Sequence, residues 1–197
     1  MKQILAFALV LGFAANARAD RDGFFARFNL GPSISNSSIG DGNSDIEVSG
    51  VGGSASLLLG GSISPNTALH GTFYGHTIVE PDVSFGAFET ENLEDTSWGV
   101  QGFGLGLQHY LPGDLYLGGS LMVMNVSVEF GDRGSTLTFE SEAGLGLMAN
   151  FGTEWALSNE FAFGLNAEVV AASVGDDDID DQWIVLIGGV NACLTYW

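Results

Sequence analysis

The sequence is poor in basic residues, cysteine and proline. Its 197 residues include five Lys and Arg against 24 Asp and Glu, which gives a formal net charge of −19. Such a chain is a poor partner for nucleic acid, because binding to phosphates depends on basic side chains. Cys193 is the only cysteine, so no intrachain disulfide can form. Since 46% of the residues are hydrophobic and 15% are charged, the composition is also not that of a disordered chain.

Long apolar runs are also missing. After residue 19 no run of 18 apolar residues occurs, so the sequence predicts no membrane-spanning helix. The N-terminal stretch MKQILAFALVLGFAANARAD predicts a secretory signal peptide, with Lys2, an apolar run from Ile4 to Ala15, and Ala17-Arg18-Ala19 as a cleavage site. A membrane anchor is the alternative, but that run is too short to span a bilayer. We expect residues 1–19 to direct export through the inner membrane and residues 20–197 to form one domain.

What the chain has in abundance is period-2 alternation of side chains, which is typical of β-strands. Short turns (SPN, PGD and LSNE) alternate with longer polar connections. Each of the three turns contains the Pro, Gly, Asn or Asp that tight turns favour. This order predicts an all-β fold, an eight-stranded antiparallel up-and-down barrel. The eight alternating segments lie near 23–34, 50–63, 67–79, 97–111, 115–128, 137–155, 161–173 and 183–197.

The stretch ESEAGLGLMANFGTEW (140–155) shows two unlike strand faces. One face carries Leu145, Leu147, Ala149 and Phe151, and the other is small, polar and acidic. A soluble lipid carrier would turn the apolar face inward, whereas a membrane barrel would turn it outward. The polar face holds mostly Gly, Ser, Thr and Asn rather than the many charges of a water-facing surface. We therefore predict that the apolar face contacts lipid, as in a transmembrane barrel with short turns on one side.

Two details of this prediction concern single strands. In the fourth segment the frame shifts between Val100 and Phe103, which predicts a β-bulge there. Aromatic residues near the strand ends are expected to form the two interfacial girdles of a membrane barrel. They are Phe24, Trp98, Tyr110, Tyr116, Trp155, Phe161, Trp183 and Tyr196.

With its signal peptide, eight strands, short turns and terminal strand WIVLIGGVNACLTYW, the chain resembles the small outer-membrane barrels of Gram-negative bacteria, the OmpA membrane domain, OmpX and OmpW group. The resemblance implies a monomer in the outer membrane, in contact with lipid and lipopolysaccharide and inserted by the barrel-assembly machinery. It also implies that the C-terminal aromatic Trp197 is part of the assembly signal. The apolar frame of this strand runs through Tyr196 and Leu194, so either Trp197 lies off that frame or the strand end is irregular.

Charged residues inside the strands predict a polar cluster in the lumen. Its members are Arg27, His70, Glu140, Glu142 and Glu168. The cluster has two interpretations, a cation-selective path or a packed plug in which Arg27 bridges carboxylates, since buried charges need partners. We predict that Arg27 pairs with Glu140, Glu142 or Glu168. A packed plug favours a structural or surface-interaction protein, and an open apolar lumen favours a narrow channel or an OmpW-like transporter for small or hydrophobic solutes.

The sequence gives weaker support to two further candidate sites, a cation site and a catalytic site. The outer connection VGDDDIDDQ could bind Ca²⁺ or Mg²⁺ through carboxylate oxygens, or could be a solvated acidic loop; its candidate ligands are Asp176, Asp177, Asp178, Asp180 and Asp181. His76, Asp82 and Ser84 invite comparison with barrels that modify lipid A, but no motif supports a triad. We therefore predict no enzymatic activity, no catalytic residues and no cofactor other than such a cation.

Overall fold

The computed structural model describes residues 23–40, 46–85, 88–90, 95–132, 135–175 and 182–197. The predicted signal peptide and the aspartates of 176–181 lie outside these ranges. Within the described residues no helix is long and apolar enough to cross a membrane.

Eight long antiparallel strands close into a barrel, as predicted. Going round the wall, the order is β1-β11-β10-β9-β7-β6-β3-β2, and β1 pairs with both β2 and β11. Shorter strands extend the wall beyond the barrel, with β4 paired to β2 and to β5, and β8 paired to β7. The strands are β1 (Phe24–Ile39), β2 (Ile46–Ser64), β3 (Thr67–Val79), β4 (Asp82–Phe85), β5 (Phe88–Thr90), β6 (Thr96–Tyr110), β7 (Leu115–Asp132), β8 (Ser135–Glu140), β9 (Gly144–Ala156), β10 (Phe161–Gly175) and β11 (Gln182–Tyr196).

The two ends of the barrel differ. Three short connections, 65–66, 111–114 and 157–160, lie at one end, which we call the turn end. Gly113 and Asp114 adopt positive φ values of 83° and 62° in the second of them, a conformation that Gly, Asn and Asp tolerate best. The longer connections lie at the opposite end, which we call the loop end.

Apolar side chains cover the outside of the barrel. Along β9, Leu145 and Leu147 are 65% and 63% exposed, whereas Met148 on the opposite face is 3% exposed. The apolar face of the 140–155 stretch therefore points outward from residue 145 onward, as predicted. Burying such a face against hydrocarbon is favourable, and closure of the barrel leaves no unpaired strand edge in its wall.

A β-bulge divides the sixth predicted segment. Met124 of β7 lies opposite Gly144, but Ser127 lies opposite Glu140, so residues 141–143 hold one residue more than the facing strand. Ser141 is fixed there by its N–H, which donates to the Val126 carbonyl, and by its Oγ, which accepts from the Val126 N–H at 2.8 Å. An extra residue turns every later side chain to the other face. The lumen positions predicted for Glu140 and Glu142 are therefore wrong, and both side chains are exposed.

The bulge predicted in the fourth segment is not present. The pairing of β6 with β3 and with β7 runs without a register shift from Ser97 to His109. Val100 points inward and is 2% exposed, whereas Gln101 and Phe103 point outward and are exposed, as regular alternation requires. The sequence suggests a frame shift here because Val100, an apolar residue, faces the interior of the barrel.

The interior consists of an apolar layer at the loop end, a polar layer, and an aromatic layer at the turn end. The apolar layer corrects the expectation that polar side chains fill the lumen. Its larger members include Trp98, Met122, Met124, Met148, Val170 and Ile187. The aromatic layer contains Phe25, Tyr110, Tyr116 and Trp197, packed with Leu58 and Ala68.

The predicted aromatic girdles are half correct. Phe24, Phe161 and Tyr196 lie outside at the turn end, with ring centroids 6.4 and 5.2 Å apart for Phe24–Tyr196 and Phe161–Tyr196. Trp155 stacks on Phe163 in the same outer band. The remaining four aromatic residues are buried inside the barrel instead: Trp98, Tyr110, Tyr116 and Trp183.

Candidate functional site

Arg27 is the centre of the polar layer. The alternation of β1 turns Phe25, Arg27 and Asn29 inward, and all three are fully buried. The Arg27 guanidinium forms a salt bridge to Glu154, with Nη2 2.5 Å from Oε1. Its planar face lies over the Tyr116 ring, 4.0 Å from the centroid. A buried charge is tolerated only when it is paired and hydrogen-bonded, and Arg27 has both kinds of support.

Three neutral side chains complete the shell around this guanidinium. Arg27 donates from Nη1 to Gln108 at 2.8 Å, from Nη2 to the Tyr110 hydroxyl at 2.7 Å, and from Nε to Thr195 at 3.0 Å. The Thr195 hydroxyl in turn donates to Glu154. The partners come from β6, β9 and β11, so one side chain of β1 connects four strands across the lumen.

Glu168 belongs to a separate polar group. Its Oε1 accepts from the Ser54 hydroxyl at 2.8 Å, and its Oε2 accepts from the Asn166 amide at 3.3 Å. Ser54 also lies 3.2 Å from Asn191. Polar side chains of β2, β10 and β11 thus surround this carboxylate.

His70 lies inside the barrel, as predicted, but like Glu168 it takes no part in the Arg27–Glu154 salt bridge. Its Nδ1 is 3.0 Å from the Thr72 hydroxyl, which lies 2.8 Å from Ser120. The ring packs against Phe25. Arg27, His70 and Glu168 are therefore interior residues, as predicted, and Glu140 and Glu142 are not.

The partner predicted for Arg27 is wrong, because the salt bridge is made with Glu154. The height of Glu154 along the barrel axis is the feature that could have identified it as the partner of Arg27. Arg27 is the fourth residue of β1 from the turn end, and Glu154 is the third residue of β9 from that end. Glu168 lies near the middle of β10, too far along the barrel axis. Alternation identifies the inward residues, whereas height decides which of them meet.

His76 does not assemble a catalytic triad with Asp82 and Ser84. Its Nδ1 lies 2.8 Å from the buried Ser33 hydroxyl, and its ring packs edge-on against Trp98. Asp82 is exposed on β4. Among the described ranges, no group of three His, Cys, Asp or Glu side chains could hold a metal ion; the aspartates of 176–181 lie outside those ranges.

Among the comparisons with known proteins, one alignment with a solved structure supports this architecture. No family model and no curated protein matches the chain. Among solved structures, Neisserial surface protein A aligns with a TM-score of 0.56 and 15% identity, over 88% of this chain and 96% of that one. The chain has the fold of the small eight-stranded outer-membrane barrels. Ail of Yersinia pestis (TM-score 0.48, 15% identity, 89% and 98% coverage) and OprG of Pseudomonas aeruginosa (0.49, 15%, 92% and 98%) also align.

Proposed function

We propose that the chain is an integral outer-membrane barrel that acts as a structural or surface-interaction protein and not as a conduit. The observation that carries the proposal is the closure of the lumen near the turn end. There the Arg27–Glu154 pair connects four strands. Below it, the Trp197 ring packs 4.9 Å from Phe25 and 5.1 Å from Tyr110, between ring centroids.

Membrane insertion is supported by the outer surface. Large aliphatic and aromatic side chains face outward on all eight long strands, including Phe28, Leu57, Phe73 and Leu105, each at least 37% exposed. A charge facing lipid at the bilayer midplane would cost about 2–4 kcal/mol. Arg27 avoids that cost by pointing inward.

The proposal includes the partners implied by the resemblance. Outer-membrane lipid and lipopolysaccharide surround a monomeric barrel, and the insertion machinery reads its C-terminal strand, with Trp197 as part of the signal. In the structure the outward aromatic side chain is that of Tyr196, 38% exposed, while Trp197 is buried inside. The role of Trp197 as a signal is therefore best tested beside that of Tyr196.

A transporter for small hydrophobic solutes is the second candidate. The apolar layer at the loop end favours it, because Met122, Met124 and Met148 line that part of the interior. Methionine side chains adapt readily to apolar ligands. The closed turn end argues against passage along the whole axis. The proposal assigns the chain no enzymatic activity; a lipid A-modifying enzyme is a remote alternative, since His76 is engaged with Ser33 inside the barrel.

Single-barrel conductance in planar bilayers tests the proposal. We expect the wild-type protein to show no stepwise conductance, because the Arg27 network and the aromatic layer fill the lumen. The double variant Arg27→Ser/Trp197→Ser removes the centre of both layers and should leak ions if it folds. The exposed substitution Glu140→Ser is the control. Regular conductance steps from the wild-type protein would overturn the proposal in favour of a channel.

A further inference from the structure

The polar layer inside the barrel holds more negative than positive charge. Among the described residues two carboxylates are buried there, those of Glu154 and Glu168, and Arg27 neutralises the first. Glu168 is 3% exposed and accepts hydrogen bonds from Ser54 and Asn166, but it forms no salt bridge with the described residues. Buried charges in proteins are paired or bind a metal ion. The charge of Glu168 is therefore left without compensation by the side chains around it.

Two inward-facing glycines let three oxygen atoms meet beside this carboxylate. A Cβ on Gly31 would lie 2.6 Å from Asn191 Oδ1. A Cβ on Gly189 would lie 3.2 Å from Ser54 Oγ and 3.4 Å from Glu168 Oε1. Because neither position carries a side chain, Glu168 Oε1 and Asn191 Oδ1 both reach Ser54 Oγ, at 2.8 and 3.2 Å.

These three oxygen atoms share too few hydrogen atoms. The Ser54 hydroxyl has one hydrogen to donate, whereas Glu168 Oε1 and Asn191 Oδ1 both act as acceptors. The Asn191 amide nitrogen is buried and has no hydrogen-bond partner among the described residues, since the amide oxygen is the atom turned toward Ser54. Carboxylate, hydroxyl and amide oxygens that converge in this way suit a hard cation, which takes oxygen ligands.

A column of polar side chains leads from the loop end to these oxygen atoms. Ser33, Ser35 and Ser37 point inward from β1 and are at most 6% exposed. Ser33 lies opposite Gly189, at the lower end of the column. The hydroxyls of Ser35 and Ser37 have no hydrogen-bond partner within the described ranges. Buried polar groups of this kind can hold water, which gives a small cation a route through the otherwise apolar layer.

The charges around the column favour a monovalent cation. Glu47, Glu129 and Glu140 are exposed toward the loop end, and carboxylates there raise the local concentration of cations. Inside, Glu168 supplies a single negative charge, which one positive charge balances. A divalent ion would leave an excess positive charge buried, and an uncompensated buried charge is costly.

We propose that Glu168, Ser54 and Asn191 bind one monovalent alkali cation, which enters from the loop end along the serine column. The site lies nearer the loop end than the Arg27–Glu154 pair, so the cation binds without passing through the barrel. The inference goes beyond the proposed structural role, and it does not depend on closure of the turn end.

Urea unfolding of the full folded barrel in detergent micelles tests the site, with NaCl replaced stepwise by choline chloride. The ionic strength stays constant, so screening of the exposed charges does not change. A ligand that binds only the folded state stabilises it as its concentration increases. We therefore expect the urea midpoint to rise with Na⁺. Glu168→Gln should remove that rise, and the matched control Glu140→Gln, the same change at an exposed carboxylate, should keep it.

A second variant covers the case in which Glu168→Gln does not fold. Asn191→Leu keeps the carboxylate but removes one oxygen ligand, and it should reduce the rise. A midpoint that does not depend on Na⁺, a rise that persists in Glu168→Gln, or an equal loss in Glu140→Gln would overturn the inference. A midpoint that rises on acidification in choline chloride, but not with Na⁺, would overturn it too, because Glu168 would then bind a proton instead.

Discussion

Replacing Arg27 by methionine tests whether the buried ion pair holds the turn-end half of the barrel together. Arg27→Met keeps an unbranched side chain but removes the salt bridge and the bonds to Gln108, Tyr110 and Thr195. Glu154, 2% exposed, then remains buried without its cation. Breaking a buried pair by removing one partner costs about 3–5 kcal/mol. We expect the free energy of unfolding to fall by about that amount.

The partner variant should cost about as much. Glu154→Gln keeps the shape of the side chain and an oxygen that accepts a hydrogen bond, but it leaves the fully buried Arg27 guanidinium without its anion. Because breaking a buried pair from either side costs about 3–5 kcal/mol, we expect a loss within that range. The double variant Arg27→Met/Glu154→Gln should lose less than the two single losses combined. Residues in contact deviate from additivity by about 0.5–3 kcal/mol.

Urea unfolding in detergent micelles, followed by tryptophan emission, measures all three variants. Midpoints can be compared directly where the slope of the transition is unchanged. The matched control is Glu140→Gln, the same chemical change at an exposed carboxylate, which should stay within about 0.5 kcal/mol of wild type. A midpoint for Arg27→Met equal to that control, or strict additivity in the double variant, would refute the reasoning.

Three further predictions concern other parts of the chain. Gly104→Ala should lower stability by about 1–3 kcal/mol, because the new Cβ would lie 1.9 Å from the Leu121 carbonyl oxygen; Gly75→Ala has no atom within 4 Å and should match wild type in the same unfolding assay. Trp197→Ala should cost about 3–5 kcal/mol by the same measurement, and an unchanged midpoint would contradict its packing in the aromatic layer. Calorimetric titration with Ca²⁺ at about 0.15 M NaCl should give a saturable heat that disappears when the five aspartates of 176–181 become asparagine; a heat that persists, or none, would leave a solvated acidic loop.

The architecture could be predicted because one face of most strands is uniformly apolar. Leu145, Leu147, Ala149 and Phe151 share an outward face without a charged residue, a pattern that hydrocarbon requires along the whole height of the wall. The short turns fixed the order of the strands. Both signals are local in sequence, so no knowledge of distant contacts was needed.

The β-bulge at 141–143 could not be seen in the same way. Leu137 and Phe139 continue the apolar frame of Leu145 in sequence, so alternation alone indicates one uninterrupted strand. In the structure Phe139 lies opposite Val128, on the inward frame, and Glu140 lies opposite Ser127 on the outward one. Leu137 and Phe139 do not belong to the buried apolar layer, since they are 64% and 60% exposed. An apolar residue at this height therefore does not reveal which face it occupies, and the frame change leaves no signal in the sequence.

The site depends on a quantity that alternation does not contain, the height of each residue along the barrel axis. Four carboxylates and one arginine share the frame that was predicted to face inward, and alternation alone allows the arginine to pair with any of the four. Distance from the nearest turn separates them, because tight turns fix where neighbouring strands begin. By that measure Arg27 and Glu154 occupy one layer beside the turn end, and Glu168 belongs to the next layer. The pair that closes the lumen is therefore determined by the short turns, which set the height of each residue, as much as by the charges.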